Sequence, residues 1–336
     1  MAACITCFGC NLASVESGHI LEKGIQQYNS HQYDQALATF QDAVTRDPNN
    51  DQAVYYMGLI DLYYHDYDQA RQKFEQAIGL NNMPVYWFHL GMSQQGLAKS
   101  QFDAGQFEAS EATYLKCVYS MSQAVETDKW YDEAWLEMAH CHLGAREYAD
   151  AAEAFKNSIE SNPVYKNADG VTANYKELGE LYAKFGFYNE ATKVLTNGLM
   201  NNPGDGQMET SLADVLFADN SLDEAAAHYK GAQKTLTLID PSKQKALNAL
   251  FGAGCVYYEM ARQTIIKYED FNSLLQNEND TATVMDNLNE SRKWFGLYSD
   301  AAISDTEKIR RSDALHKMKS IDRYIEYKNG NTEPAE

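Results

Sequence analysis

The sequence predicts an all-α solenoid of antiparallel helix pairs with a C-terminal helical cap. Three observations predict it. Tyr33-Asp34-Gln35-Ala36 reappears 34 residues later as Tyr67-Asp68-Gln69-Ala70. Small and large apolar residues follow at helical spacings, Ala36 before Phe40 and Ala43, Ala70 before Phe74 and Ala77. The 6 prolines among 336 residues avoid helix interiors. Pro48, Pro163 and Pro203 fall where a helix must stop, Pro84 and Pro241 where one begins, and Pro334 lies in the tail. One such helix pair cannot bury both of its faces, so stability must come from stacked neighbours.

Composition narrows the function. Lys plus Arg number 28 and Asp plus Glu 48, so the formal charge is 28 − 48 = −20. A surface this acidic repels phosphate backbones, which argues against general nucleic-acid binding. An apolar fraction of 44% excludes wholesale disorder. No run of eighteen apolar residues offers a membrane span. Six cysteines over this length are not a disulfide framework.

Repeat 1 covers 17–50, with Gly24, Ala36 and Phe40; repeat 2 covers 51–84, with Gly58, Ala70 and Phe74. Residues 132–165 repeat the pattern with Trp135, Met138, Ala139, Ala151, Phe155 and Ser158. Residues 172–205 give Tyr175, Leu178, Gly179, Tyr182, Ala191, Leu195 and Gly198. Residues 206–239 are weaker, and 243–277 are degenerate, keeping Leu250, Gly254 and Tyr257. The pattern resembles the tetratricopeptide repeat, with its Trp-x2-Leu-Gly-x2-Tyr, Ala-x3-Phe and late Pro, over roughly 17–260. The resemblance implies a right-handed superhelix of hairpins, each with a helix A and a helix B. It places small residues where the two backbones cross: Gly24, Gly58, Gly91 and Gly179 in helix A, and Ala36, Ala70, Ala151 and Ala191 in helix B. Phe40, Phe74 and Phe155 then fill the gap to the next helix.

The third repeat, 84–131, is longer. It starts in register with Pro84, Trp87, Leu90 and Gly91, but Gly105 and Phe107, which open helix B, come seven residues late. Helix B then carries Ser110, Tyr114 and Cys117 and repeats the spacing as Cys117, Met121 and Ala124. The next repeat begins at Asp132, 48 residues after Pro84, or 34 + 7 + 7. Seven residues are close to two turns, so every side chain keeps its face and the hairpin lengthens by about 10 Å. Its tip, from Phe102 to Phe107, is expected to project, either as a spur for docking or self-association or as a tolerated extension that packs on nothing.

Residues 1–16 read as a flexible segment containing Cys4, Cys7 and Cys10. The run lacks the fourth cysteine and proline of an iron–sulfur motif, so no metal is assigned to it. Met1-Ala2-Ala3-Cys4 resembles the end of a bacterial lipoprotein signal, which makes Cys4 a lipidation candidate if the true start lies upstream of Met1. Cys7, Cys10 and the helical thiols Cys117, Cys141 and Cys255 read as unpaired, which favours a reducing, cytoplasmic location over a lipid-anchored one in the cell envelope. At the other end, Asp240-Pro241 opens a helix expected to reach about Leu275. Gln276 to Asp280 form a polar break; helices near 282–297 and 300–327 follow, so 278–328 is the cap and 329–336 a disordered tail. The last helix holds Lys308, Arg310, Arg311, Lys317, Lys319, Arg323 and Lys328, and so either docks on the acidic array or offers a separate contact surface.

No chemistry-bearing motif stands out. There is no phosphate-binding Gly-x4-Gly-Lys-Ser/Thr, no His-Glu-x2-His and no Gly-x-Ser-x-Gly. His140 and His142 are two residues apart on a helix, so their imidazoles point about 200° apart and cannot share a metal. The chain therefore reads as a non-enzyme without a cofactor.

In the family this chain resembles, helix A lines a concave groove at repeat positions 2, 5, 9 and 12–13. Those positions here are Leu21, Ile25 and Tyr28, then Tyr55, Leu59, Leu62 and Tyr63, then Val85, Phe88 and Met92, then Leu136, His140 and Leu143. Later repeats turn polar, with Lys176, Glu180, Thr210 and Asp214. Leu21 and Ile25 occupy the places of the Lys, Asn and Arg clamp by which some members hold a carboxylate terminus, so that activity is not expected. An apolar groove suits an amphipathic helix or an extended apolar peptide. The resulting expectation is a protein-interaction scaffold with a peptide or helix partner held by repeats 1–4. The alternatives are an envelope lipoprotein assisting assembly of a membrane or secretion complex, and, with less support, a helical enzyme subunit with its chemistry in 280–328.

Overall fold

The computed structural model describes residues 3–161, 169–239, 246–302 and 307–328, with side chains described from Glu16 in the first helix and from Ala173 in the ninth. Pro163, the Asp240-Pro241 helix start, the tail 329–336 and the side chains of Cys4, Cys7 and Cys10 lie outside what is described. Among the described residues there are sixteen helices and no strand. In chain order they are α1 Ala3–Asn29, α2 Tyr33–Arg46, α3 Asp51–Tyr63, α4 Tyr67–Leu80, α5 Pro84–Asp103, α6 Phe107–Thr127, α7 Asp132–Gly144 and α8 Tyr148–Ser161. Then follow α9 Asp169–Lys184, α10 Tyr188–Asn201, α11 Gly206–Ala218, α12 Leu222–Ile239, α13 Leu247–Ile265, α14 Phe271–Leu275, α15 Glu278–Ala301 and α16 Lys308–Lys328. The chain divides into two compact units, Met1–Val164 and Tyr165–Glu336, so the boundary falls inside the expected array 17–277.

One backbone device makes each of the first six hairpins. The turn between helix A and helix B carries a residue in the left-handed region: His31, His65, Gly105, Arg146, Gly186 and Asn220, with φ between 58° and 79°. At the first turn the amide of His31 donates to the Tyr28 carbonyl at 2.9 Å, and that of Gln32 reaches back to the Gln27 carbonyl at 2.9 Å. The second turn repeats this, His65 to Leu62 at 3.0 Å and Asp66 to Asp61 at 2.9 Å. Such reach-back bonds satisfy carbonyls that the helix end would otherwise leave unpaired. The entry to the next helix A uses caps: Asn50 accepts from Ala53 N at 3.0 Å, and Asp205 accepts from the amides of Gln207 and Met208, each at 2.9 Å. Pro84 stands in the first turn of α5, where its missing N–H costs nothing.

Helices α3 and α4 have 13 and 14 residues, and so do α7 and α8. Helices α5 and α6 have 20 and 21, seven more each. The additional layer has its own small-residue crossing: buried Ser110 donates through Oγ to the Ala98 carbonyl at 2.8 Å. Gly96 of α5 lies against the Tyr67 ring at the start of α4, so the residues after Gly96 run past the turn of the second hairpin.

Packing follows the small-beside-large rule. A Cβ added to Gly24 would lie 2.4 Å from the Phe40 ring, and one added to Gly58 would lie 2.8 Å from the Phe74 ring. Ala36, Phe40, Ala70, Phe74, Ala151, Phe155 and Ala191 are all fully buried. In the second unit Gly252 and Gly254 of α13 approach Tyr229 and Phe295, the close packing expected of Gly-Ala-Gly in a helix. One core there runs from Ala191 to Ile321.

Several expectations need correction. The first helix begins at Ala3 rather than near 17, so the backbone of the lead-in is helical and continuous with repeat 1. No Gly or Pro interrupts 11–17, so nothing in that stretch stops a helix. The helix expected to reach Leu275 ends at Ile265; Asp270 then caps the short α14 by accepting from Ser273 N at 2.7 Å. The polar break at 276–280 is itself a cap: Asn277 accepts from Asp280 N at 3.1 Å and α15 starts at Glu278. Cys117 and Cys141, read as unpaired thiols, are joined by a disulfide between α6 and α7, with Cα atoms 6.0 Å apart. Both occupy small-residue packing positions on consecutive stacked helices, which brings them face to face. Cys255 is free.

Candidate protein-binding surface

The groove residues of the first unit fall on α1, α3, α5 and α7. They are not equally open. Leu21, Ile25 and Tyr28 pack against the core around Phe40 and Met57, and Leu59 and Leu62 against the core around Phe74 and Leu90. Tyr55 is the most committed to packing. Its ring lies 4.7 Å from that of Tyr86 and 5.8 Å from that of Phe74. Its hydroxyl lies 3.2 Å from His89 Nδ1. Burial, and then the neighbouring Tyr131, Tyr56 and Tyr28, raise the Tyr55 hydroxyl well above the ordinary tyrosine value. Burial pushes the His89 imidazole down, partly offset by the Val85 carbonyl 2.9 Å from Nδ1.

Further along, Phe88 sits 5.1 Å from the Tyr131 ring and, like Met92 and Leu136, is half-buried. His140 faces the ring of Phe155 at 5.8 Å, and its Nδ1 lies 3.3 Å from Glu137. Gln95 Nε2 donates to the same Glu137 carboxylate at 2.8 Å. Burial alone would raise the Glu137 carboxyl, but the hydrogen bonds from His140 and Gln95 hold it below the ordinary value. This polar trio interrupts the apolar row. Only His140 was visible in advance; Gln95 and Glu137 join it because α5 and α7 are neighbours, which no spacing records.

Three further clusters escaped the sequence reading. A cleft of about 500 Å³ between α4, α5 and α6 is walled by Ile78, Trp87, Leu90, Leu115 and Tyr119, flanked by Glu75 and Lys116. Trp87, which marks the register of the third repeat, meets Tyr119 there at 6.0 Å. At the fourth turn, ligand atoms of His142, Glu147 and Asp150 come within 4.8 Å of one another, a set that could hold a cation. His142 already uses Nδ1 on Glu147 at 2.8 Å, a contact that ties α7 to the residue before α8. Finally, tyrosines cluster at the first two turns. Tyr33 lies 4.3 Å from Tyr63, 6.3 Å from Tyr64 and 5.5 Å from Tyr28, ring to ring. Tyr63 is 57% exposed and Tyr64 53%.

The second unit has a polar counterpart. Lys176 pairs with Glu180 at 3.3 Å, and Ser211 Oγ donates to Glu180 at 2.8 Å. The Tyr229 hydroxyl donates to Asp214. Thr210, expected in the groove, is instead buried with its hydroxyl on the Gly206 carbonyl at 2.8 Å. The basic α16 is docked on its own unit: Ala314 and Ile321 are buried, and Arg292 of α15 pairs with Asp322 at 2.6 Å. Arg310 Nη1 donates to Asn248 at 2.8 Å beside the Phe251 ring.

Stacked helix hairpins with aromatic and polar side chains along successive A helices define a helical repeat protein. Residues 176–236 match the tetratricopeptide repeat family. The repeat pattern and the fold are similar to those of tetratricopeptide-repeat proteins. It is 22% identical over 244 residues to Superkiller protein 3 of Schizosaccharomyces pombe, covering 73% of this chain and 16% of that protein. It is 22% identical over 243 residues to a TPR repeat-containing protein of Methanocaldococcus jannaschii, covering 64% of this chain and 42% of that one. The chain thus spans less than half the length of these relatives. Among solved structures, the C-terminal part of a TPR repeat-containing protein from Cytophaga hutchinsonii superposes with a TM-score of 0.57 at 13% identity, over 88% of this chain and 99% of that one. At that identity the likeness concerns the fold. No described helix is long and apolar enough to cross a membrane.

Proposed function

We propose that the chain is a non-catalytic protein–protein interaction scaffold that receives a peptide or helix of a partner on the A-helix surface of repeats 1–4. The observation that carries this reading is the row of half-buried apolar side chains Leu59, Leu62, Phe88, Met92 and Leu136 on successive A helices. Half-buried apolar rows set on a rigid scaffold suit an apolar helix face or extended segment. The test is a pull-down from native extract with the parent and a Phe88→Ala/Met92→Ala variant. Loss of a specific partner with helicity retained supports the groove; unchanged capture refutes it. Tyr55 is unsuitable for this test, because its ring fills space between hairpins.

The Cys117–Cys141 disulfide favours a second reading on location, since buried disulfides persist in oxidising compartments. On that reading the scaffold works outside a reducing cytoplasm. Mass spectrometry of the protein alkylated during extraction decides: a bridged peptide supports it, and two alkylated cysteines refute it.

A further inference from the structure

Tyr28, Tyr33, Tyr63 and Tyr64 form one aromatic strip along the turns of the first two hairpins. Carboxylates fringe it. The Tyr64 hydroxyl donates to Asp34 at 3.3 Å. Asp61 and Asp66 bracket the second turn, where the Asp66 amide donates to the Asp61 carbonyl. Among the described residues no ion pair forms with Asp34, Asp61 or Asp66. Of the cations on α4, Arg71 pairs with Asp68 and Glu75, while Lys73 acts on Asp61 through its charge. The long third hairpin borders this edge, because α5 continues past Gly96, which is seated on Tyr67. Asp66 also caps α4, its carboxylate accepting from Gln69 N at 3.3 Å, so Asp34 and Asp66 each hold one hydrogen bond and keep further acceptor capacity. Open tyrosine faces beside carboxylates that no cation holds are what a cationic side chain needs. The faces attract it through their quadrupole and the carboxylates through charge.

We propose that this edge is a docking surface for an arginine-bearing segment of a partner protein, a guanidinium stacking on Tyr63 or Tyr64 while Asp34 and Asp66 take its N–H groups. Arginine fits better than lysine because its planar group both stacks and forks onto a carboxylate. Burial raises the Asp61 carboxyl, and the Asp66 charge adds to this against the opposing charge of Lys73. The surface shares Tyr28 and Tyr63 with the groove positions of repeats 1–4, while Tyr33, Asp34, Tyr64 and Asp66 lie outside them.

The experiment is fluorescence anisotropy of the full chain with a fluorescein-labelled decapeptide alternating Gly and Arg, and with the same peptide carrying Lys or Glu in place of Arg. The Arg peptide is expected to bind, the Lys peptide several-fold more weakly, and the Glu peptide not at all. Tyr63→Ala/Tyr64→Ala should weaken Arg-peptide binding about four- to twenty-fivefold, at about two- to fivefold per ring. Asp34→Asn/Asp66→Asn should weaken it and flatten its salt dependence. Both pairs are surface residues, and circular dichroism verifies that the fold is intact. Phe88→Ala/Met92→Ala should leave Arg-peptide binding unchanged, which separates this surface from the groove. Equal binding of the Arg and Lys peptides, or unaltered binding by the tyrosine variant, overturns the proposal. So does self-association, seen by light scattering, that the tyrosine variant removes, because the edge would then be an interface between copies.

Discussion

Substituting the crossing glycines by alanine should give effects of opposite sign at two equivalent positions. Alanine is worth about 1 kcal/mol over glycine in a helix interior, so each change begins with a gain. At Gly24 the new Cβ would lie 2.4 Å from Phe40 Cε1. That ring is fully buried and stacked 5.3 Å from Tyr56, so it has nowhere to move. Overpacking of this kind costs about 1–3 kcal/mol. The net expectation for Gly24→Ala is destabilisation of about 1 kcal/mol. At Gly91 the closest atom is Met121 Cε at 2.6 Å, the free end of a flexible chain. Methionine can change rotamer at little cost. Gly91→Ala should therefore be neutral or stabilising by up to about 1 kcal/mol. Urea midpoints by circular dichroism measure both, with unchanged slopes as the check that comparable surface unfolds. If Gly24→Ala matched or exceeded the stability of Gly91→Ala, the reasoning from ring rigidity would be refuted.

Other consequences can be measured with the same preparation. Arg146 holds φ +62° without a glycine. Arg146→Gly should stabilise by about 0.5–1 kcal/mol, read as a raised urea midpoint. Serine at both Cys117 and Cys141, 24 residues apart, should cost about 3 kcal/mol of denatured-state loop entropy. An unchanged melting temperature would show that the bridge is absent in solution. The Glu137 carboxyl is depressed in the fold, so its contribution is present above its ordinary value of 4.5 and is lost as pH falls through the lower folded value. Glu137→Gln should accordingly cost about 1.5 kcal/mol at pH 7, with the gap closing below pH 4 in urea titrations. Phe102 and Phe107, 5.2 Å apart and each about half exposed, form the hairpin tip. Phe102→Ser/Phe107→Ser should leave stability within about 0.5 kcal/mol. If the tip mediates self-association, sedimentation will show that association lost.

The fold was legible because its periodicity is local. Gly24 beside Phe40 and Gly58 beside Phe74 are the same contact one period apart, and a single chain displays both. The candidate surfaces were less legible, because they depend on which helices become neighbours. Glu137 meets Gln95 across two hairpins, and Cys117 meets Cys141 across a stack; neither spacing carries a signature. Tyr55 shows the opposite failure. Its repeat position marks it as groove, but Tyr86, specific to the next repeat, covers its ring. The helix ends near 265 and 278 were missed because Asp270 and Asn277 cap through side-chain bonds that look like ordinary polar residues in sequence.

The long third hairpin allows a sharper test of the packing logic. Its added layer is self-contained: Ser110 bonds to Ala98, both lie in the extension, and both are buried. Deleting 97–103 and 107–113 together removes seven residues from each helix and keeps the turn Ala104-Gly105-Gln106. Tyr114 then follows the turn directly, as Tyr67 does in the second hairpin. Seven residues rotate a helix by only about 20° from register, so Gly91 should still meet Met121 and Cys117 should still face Cys141. Removing only one of the two segments leaves a helix with no partner for its buried face and Ala98 or Ser110 without its mate. The double deletion should keep cooperative unfolding with a modest loss, and either single deletion should broaden or abolish the transition. Double and single deletions that unfold alike would mean that the extension is integral to the stack rather than an added layer upon it.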